Sequence, residues 1–405
     1  MTRPTVILLA LALLWSACDR ETDLEETPEQ IPADTSTFSA ADLQILTPVL
    51  DLKALPFNYT DTRLPPHYQS AEAYDADNTP EDNPITNMGA TLGRVLFYDP
   101  QLSQNNRISC ASCHEQGAAF SDPRRFSVGL NGERTKRNSM TLINSRYYEN
   151  GHFFWDERAA TLEAQVLLPI QDHIEMGMTL EDLVAKLQPL DYYQVLFTKA
   201  FGSEAVTAER IARALAQFTR SIVSVNSKFD RGFVAAGLPE DEEEMPNFPN
   251  FTDQENLGLD VFYRGRNGAT CLYCHGNPQH VNDEAKNNGL ALAYTDQGKG
   301  AFTGRAADRG LFKVPTLRNI AVTGPYMHDG RFATLMEVVN HYSDGVADHP
   351  NLHFRLETLD DGQAGEAEVL RLDLSQAEKE ALVAFLHTLT DEEVLVDEKY
   401  SDPFK

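Results

Sequence analysis

The sequence predicts a mainly α-helical protein that is built from two similar halves. Apolar residues recur at helical spacing, as in the 4-3-4-3 series Ile211, Leu215, Phe218, Ile222 and Val225. No segment shows the regular apolar–polar alternation that is typical of a half-buried strand. Two segments, which end at residues 114 and 275, share one pattern: an amphipathic helix, a loop and then C-x-x-C-H.

Composition limits the class of protein. The chain has 405 residues, of which 42% are hydrophobic, and this is enough for two or three packed domains. The formal charge of −27 argues against a nucleic-acid partner, which requires a basic surface. Such a charge attracts basic partners over long range, although it serves solubility equally well.

The N-terminus predicts export from the cytoplasm. Residues 1–17 read as a signal peptide, because their apolar run at 6–15 is too short to span a bilayer. The small residues before Cys18 resemble a bacterial lipoprotein processing site, which would give a lipid tether to the membrane. Trp15 stands where such sites usually have leucine, so ordinary cleavage stays open. We expect a flexible acidic tether at 18–38 and a location in the periplasm or cell envelope.

The two halves follow the tether. We assign residues 39–238 to an N-terminal domain and residues 251–405 to a C-terminal domain. The stretch 239–250 between them is charged and bracketed by prolines, which is typical of a linker. Each domain carries one C-x-x-C-H motif.

Four cysteines remain after the signal: Cys110, Cys113, Cys271 and Cys274. Disulfides are an alternative in an exported chain. A zinc site would need its second pair roughly 15–20 residues away, and a redox dithiol would need a βαβ setting. Covalent haem c uses this spacing, with two thioethers and the adjacent histidine on the iron. We therefore predict two haem c groups with His114 and His275 as proximal ligands.

Several motifs together resemble those of bacterial dihaem cytochrome c peroxidases and their relatives of the MauG type. The resemblance runs from about Leu92 to Leu389 and rests on "LGRVLFYDPQLS", "CASCH", "RNSMTLIN", "FFWDERAATLEAQ", "PIQDHIEMGM", "CLYCH" and "FKVPTLRNIAVTGPYMHDGRFATL". It implies two cytochrome-c-like helical domains with one haem in each and a calcium ion between them. The N-terminal haem would meet hydrogen peroxide, and the C-terminal haem would receive electrons from a donor protein.

The resemblance also implies roles for single residues. Trp155 in "FFWDER" would be an electron bridge between the haems, and Glu175 in "HIEMGM" would stand over the peroxidatic iron. Gln165 and Pro169 would line the same pocket. Outside these motifs, a tryptophan more often packs in a core and a glutamate more often lies at the surface.

A second set concerns the calcium ion and the second haem. The side chain of Asn138 and the carbonyls of Thr323 and Pro325 match the calcium ligands, although an asparagine often only caps a turn. His328 matches a residue near the propionates of the second haem.

The chain departs from classical peroxidases in two places. The loop after the first motif has Leu130 and Asn131 where a histidine would cap the iron, and His152 and His173 fall outside that loop. We therefore predict a five-coordinate or water-bound N-terminal iron.

The second departure is Tyr342, fourteen residues after His328, where classical members have a methionine and the MauG type has tyrosine. A phenolate ligand would lower the potential of this haem relative to methionine. The competing ligands are His341, Met327 and Met336.

These residues predict a dihaem c-type peroxidase that reduces hydrogen peroxide to water. The expected donor is a small, basic periplasmic protein such as a cytochrome c or a copper protein. One alternative is a MauG-like oxidase that modifies a partner protein. Another is a dihaem cytochrome that only transfers electrons, which the open iron beside Glu175 disfavours. A homodimer stays open.

Overall fold

Eleven α-helices, joined by long loops and short 3₁₀ turns, make up the described part of the chain. In this computed structural model the described residues are 36–60, 64–69, 75–239, 244–276, 279–358 and 368–405. The predicted signal peptide, Cys18 and most of the tether lie outside them. The helices are α1 Ala40–Leu46, α2 Asn87–Tyr98, α3 Leu162–Gln171, α4 Leu180–Leu187, α5 Asp191–Phe201, α6 Ala208–Ser221, α7 Lys228–Ala235, α8 Asp253–Arg264, α9 Lys299–Thr303, α10 Leu335–Asn340 and α11 Gln376–His387.

The prediction of a mainly helical fold is confirmed. Within the described ranges, β-structure is limited to isolated bridges such as the one that joins Lys286 and Phe312. None of the helices described has the length and apolar character needed to cross a bilayer. Helix α6 is shorter than its apolar pattern, because it ends at Ser221 and leaves Ile222 and Val225 beyond it. There the backbone turns to bond with Asn144, whose N–H donates to the carbonyl of Ile222 at 3.0 Å.

One helix pair occurs in both halves. Helices α2 and α6 approach so closely that a Cβ atom on Gly93 would lie 2.0 Å from the carbonyl oxygen of Ala214. Helices α8 and α11 repeat the contact, because a Cβ on Gly258 would lie 2.0 Å from the carbonyl oxygen of Ala381. Only glycine permits this approach of two backbones. The same crossing in both halves supports an internal duplication.

Each helix pair lies in its own hydrophobic core. The first core includes α2, α5 and α6, and the second includes α8 and α11. The second core also takes in Phe229 and Phe233 of α7, and Met245 and Phe248 from the predicted linker. The exact domain boundaries stay a prediction.

The C-terminal tail returns to the first core. Tyr400 is buried there, and its hydroxyl donates to the carbonyl of Ser221 at 2.6 Å. Arg94 of α2 donates to the carbonyl of Glu398 at 2.9 Å. The end of the chain therefore joins the N-terminal half to the C-terminal half.

Candidate active site

The two C-x-x-C-H motifs fold in the same way. Each begins with a 3₁₀ turn, Cys110–Ser112 in the first motif and Cys271–Tyr273 in the second. The N–H of His114 donates to the carbonyl of Cys110 at 3.0 Å, and the N–H of His275 donates to that of Cys271 at 2.9 Å. All four cysteines are free thiols, so the disulfide alternative receives no support.

The two imidazoles are oriented alike by backbone carbonyls. Nδ1 of His114 lies 2.8 Å from the carbonyl oxygen of Phe120, and Nδ1 of His275 lies 3.2 Å from that of His280. A proton on Nδ1 leaves the lone pair on Nε2, which is the nitrogen that ligates metals in this arrangement. Burial lowers the pKa of both imidazoles, that of His275 to about 4, so both are neutral at pH 7.

Each histidine lines a cavity. The first cavity has a volume of about 800 Å³ and is lined by His114 together with Gln165, Pro169 and Glu175. Gln165 and Pro169 are four residues apart on α3 and therefore share one face of the helix.

The second cavity, of about 210 Å³, is lined by Cys271, Cys274, His275 and Tyr342. The structure thus places the proposed peroxidatic residues around the first histidine. It places the proposed sixth ligand near the second.

A turn after α3 fixes Glu175. The carboxylate Oδ1 of Asp172 accepts the N–H of Ile174 at 2.8 Å and that of Glu175 at 3.3 Å. The loop after the first motif contacts this turn, because the backbone N–H of Leu130 donates to the carbonyl of Ile174 at 2.8 Å. A Cβ on Gly129 would lie 1.8 Å from the same carbonyl oxygen. The position of Glu175 therefore depends on a glycine in that loop.

The electrostatics of Glu175 suit proton transfer. Burial, helped by the nearby Asp172, raises the pKa of Glu175 from 4.5 to about 7, and Arg158 opposes the rise. The Glu175 charge in turn contributes to the raised pKa of the Cys110 and Cys113 thiols, where burial is the main cause. This coupling shows that Glu175 lies near the first motif.

The histidine-free loop lines the first cavity with its last residues, 135–138, whereas the part where a capping histidine would stand is not among the described lining. Leu130 is buried beside Gly177 and is not among the described residues that line the first cavity. His152 is exposed and also lies outside the lining, whereas His173 is exposed at the cavity's edge. The only sequence signal that His173 borders the cavity is its position two residues before Glu175.

Eight residues line both cavities, and we call them the shared wall. They are Asn138, Met140, Thr141, Trp155, Lys313, Pro315, Thr316 and His328. Within this wall, Nε1 of Trp155 donates to the carbonyl of Asn138 at 2.8 Å, and the N–H of Asn138 donates to the carbonyl of His328 at 2.8 Å. The rings of Trp155 and His328 lie 6.5 Å apart, edge to face. Trp155 and His328 therefore stand between the two cavities.

The proposed calcium ligands also meet at the second cavity. Asn138, Thr323 and Pro325 all line it. The side-chain Nδ2 of Asn138 donates to the carbonyl of Arg124 at 3.1 Å, which leaves Oδ1 as the acceptor end of this amide. An amide oxygen with backbone carbonyls is a ligand set that calcium accepts.

Tyr342 reaches the second cavity from a single turn of π-helix, His341–Gly345. Its hydroxyl accepts a hydrogen bond from Nδ2 of Asn288 at 3.1 Å. The carbonyl of Asn288 lies 3.0 Å from Nε2 of His341, which holds that ring in place. Of the two methionines, Met327 lines the cavity, and Met336 is not among the lining residues described.

Each cavity is lined by the neutral imidazole of a C-x-x-C-H motif, and a cysteine pair with such an imidazole is the donor set of haem c, so the residues fit this cofactor. Comparison with known proteins agrees. A family model described as di-haem cytochrome c peroxidase matches residues 87–236. The methylamine utilization protein MauG of Methylophilus methylotrophus is 33% identical over 328 residues, which cover 80% of this chain and 89% of that protein. The chain belongs to the di-haem cytochrome c peroxidase family.

Other members of the family are similar over most of their length. The cytochrome c551 peroxidase of Nitrosomonas europaea is 34% identical over 309 residues, which cover 75% of this chain and 80% of that protein. A crystal structure of a MauG-like protein associated with microbial copper homeostasis has a TM-score of 0.66 at 34% identity, covering 81% of this chain and 96% of that one. The diheme peroxidase BthA from Burkholderia thailandensis, at 22% identity and a TM-score of 0.61, shows the same fold.

Family membership confirms three predictions. The fold is mainly helical with two cytochrome-c-like domains, the cofactor is haem c, and the protein is a peroxidase-type oxidoreductase.

Proposed function

We propose that this protein reduces hydrogen peroxide to water at the first cavity, with electrons that enter at the second cavity from a small basic periplasmic protein. One observation carries the proposal: Glu175, with its pKa raised to about 7, lines the same cavity as His114. The reaction consumes two electrons and two protons for each peroxide and yields two waters.

The haem group, when bound, supplies an iron that takes the peroxide and accepts electrons. Glu175 takes the proton from one peroxide oxygen on its carboxylate and returns it to the other oxygen, which then leaves as water. A pKa near 7 suits both transfers at neutral pH, because the carboxyl is neither permanently charged nor permanently neutral. Gln165, on the same side of the cavity, orients the peroxide through its amide.

The shared wall provides the electron path. Trp155 lies between the cavities and is fixed at two points, because Nε1 donates to Asn138 and its own carbonyl accepts the N–H of Lys313 at 2.8 Å. A fixed aromatic ring between two redox groups shortens the distance that an electron must cross in one step. His328 stands beside Trp155 in this wall and would lie near the carboxylates of the second haem.

Two further parts of the proposal concern ligands. Calcium would bind Asn138 Oδ1 and the carbonyls of Thr323 and Pro325, which would tie the shared wall to the C-terminal domain. Tyr342 would be the sixth ligand at the second haem. Its support is its place in the cavity beside His275 and the hydrogen bond that fixes His341 elsewhere.

Location and assembly remain part of the proposal. A signal peptide at residues 1–17 would send the protein to the periplasm, and lipidation of Cys18 would tether it there. A homodimer is compatible with this scheme.

A second candidate function is the MauG-like one, in which both haems together oxidise a partner protein. The placement of Tyr342 favours it, together with the similarity to MauG and to the MauG-like protein associated with copper homeostasis. Both functions use the first cavity, but they differ in the electron source, which is a small donor protein in the first and the modified partner protein in the second.

The deciding experiment combines a spectrum with a turnover assay. The purified diferric protein should show one high-spin haem, and peroxide should be consumed with stoichiometric oxidation of reduced cytochrome c. A low-spin, six-coordinate N-terminal haem would contradict the open site. Negligible turnover together with a persistent oxidised state of both haems would favour the MauG-like function. A repeat with a reduced copper protein then distinguishes between donors.

A further inference from the structure

Lys313 is a buried lysine for which the described residues offer no hydrogen-bond or ion-pair partner. Only 8% of it is exposed, and its Nζ has no hydrogen bond or ion pair within the described ranges. Lysine is almost never buried without a partner. Burial moreover lowers the pKa of Lys313 well below its usual range, so a neighbouring anion would be needed to keep it charged.

The nearest acidic group is already occupied. Glu157 opposes the lowering of the Lys313 pKa, which shows that it lies near. Its Oε2, however, pairs with Nζ of Lys299 at 2.5 Å, and its Oε1 accepts hydrogen bonds from Tyr148 and Asn150. Lys313 instead lies over the ring of Tyr148. Glu157 therefore does not explain why a lysine is buried here.

The other cations around the first cavity differ from Lys313. Arg137 bonds Asp156 and Asp296, each at 2.7 Å, and Arg331 bonds Asp329 at 2.8 Å. Lys136 is exposed to solvent. Lys313 is thus the one buried cation of the described lining that has no carboxylate.

We propose that Nζ of Lys313 binds a carboxylate of a haem at the shared wall, beside Trp155. Haem carries two carboxylates at one edge, and Lys313 lines both cavities, so either haem can supply the anion. The inference rests on the haem c cofactor of the family and not on peroxide turnover. A paired ammonium near one haem stabilises its electron-rich reduced form and raises its midpoint potential. Lys313 is accordingly a positioning residue for the cofactor.

Redox titration tests this without any turnover. The haem-loaded full chain is compared with Lys313→Met, with Lys313→Arg, and with Lys136→Met as a control that removes an exposed cation from the edge of the first cavity. Both midpoint potentials are measured by spectroelectrochemistry after haem content is checked. We expect Lys313→Met to lower one of the two midpoint potentials. Lys313→Arg should keep that potential close to the wild-type value, and Lys136→Met should change neither potential. The haem whose potential moves is the one that supplies the carboxylate.

Equal potentials in Lys313→Met and Lys136→Met, with both haems loaded, would overturn the inference and leave Lys313 as a packing residue on Tyr148. If Lys313→Met loads less haem, the arginine variant decides. Normal loading with arginine supports the need for a cation, and failure of both variants overturns it. If Lys313→Met shifts a haem potential but the wild type does not turn over peroxide, only the proposed function is refuted and the role of Lys313 stands.

Discussion

Glu175→Gln removes the ionisable group of the first cavity while keeping its size. The folded chain raises the pKa of Glu175 from 4.5 to about 7, so a carboxyl of this kind is about one tenth ionised at pH 6 and about nine tenths ionised at pH 8. If the carboxylate takes the peroxide proton, the rate of the peroxide reaction rises about tenfold over this range. The variant should be slower by about 10²–10⁴-fold and independent of pH there.

The assay is stopped-flow mixing of the diferric protein with peroxide from pH 5.5 to pH 8.5. Imidazoles titrate in the same range, and His173 borders the same cavity, so His173→Gln is the matched control. We expect His173→Gln to keep both the rate and its pH dependence. If His173→Gln removes the pH dependence and Glu175→Gln retains it, the assignment of the base is wrong.

Stability gives an independent check of the same pKa. The rise from 4.5 to about 7 means that the folded chain holds the proton more tightly than the unfolded chain does. The stabilisation is complete below about pH 4.5 and is lost as the pH rises through about 7. The free energy of unfolding of the wild type, relative to Glu175→Gln, should therefore fall by about 2–3 kcal/mol between pH 5 and pH 8. If the difference in the free energy of unfolding between the wild type and Glu175→Gln is the same at both pH values, the pKa of Glu175 is not raised.

Three other substitutions test the rest of the site. Gly129→Ala should displace the turn that carries Glu175, slow the peroxide reaction and cost about 1–3 kcal/mol of stability. Gly117→Ala is the control, because a Cβ there would meet nothing within 4 Å, and it should behave as wild type in kinetics and denaturation. Tyr342→Phe should change the optical spectrum of the second haem and raise its midpoint potential, and an unchanged spectrum would exclude the tyrosine as a ligand. Trp155→Phe should leave both haem spectra intact and slow electron delivery to the first haem in stopped-flow reduction, so an unchanged rate would remove Trp155 from the path.

The parts of the site that could be predicted lie within continuous motifs. His114 and His275 follow their cysteines directly, and their geometry is set by hydrogen bonds within six residues of each. Gln165 and Pro169 share a helical face by spacing alone. Local sequence therefore places these groups before any long-range contact is known.

The parts that could not be predicted depend on contacts between distant segments. Tyr400, near the C-terminus, packs in the first core and bonds Ser221, which lies 179 residues away in the sequence. Apolar periodicity also extended α6 to Val225, but the hydrogen bond from Asn144 turns the backbone after Ser221. The burial of Lys313 could not be predicted from the sequence, because lysine is ordinarily an exposed residue.

Residues that line one cavity and residues of the shared wall should respond differently to substitution. Glu175 lines only the first cavity and Tyr342 only the second, so each should alter one haem. Trp155 and His328 line both cavities and are joined through the backbone of Asn138, so a change that moves this wall should alter both haems together. A calcium ion on Asn138 would act from the same place. Calcium removal should therefore resemble a wall substitution in its spectra, with both haems affected, and should not resemble Glu175→Gln.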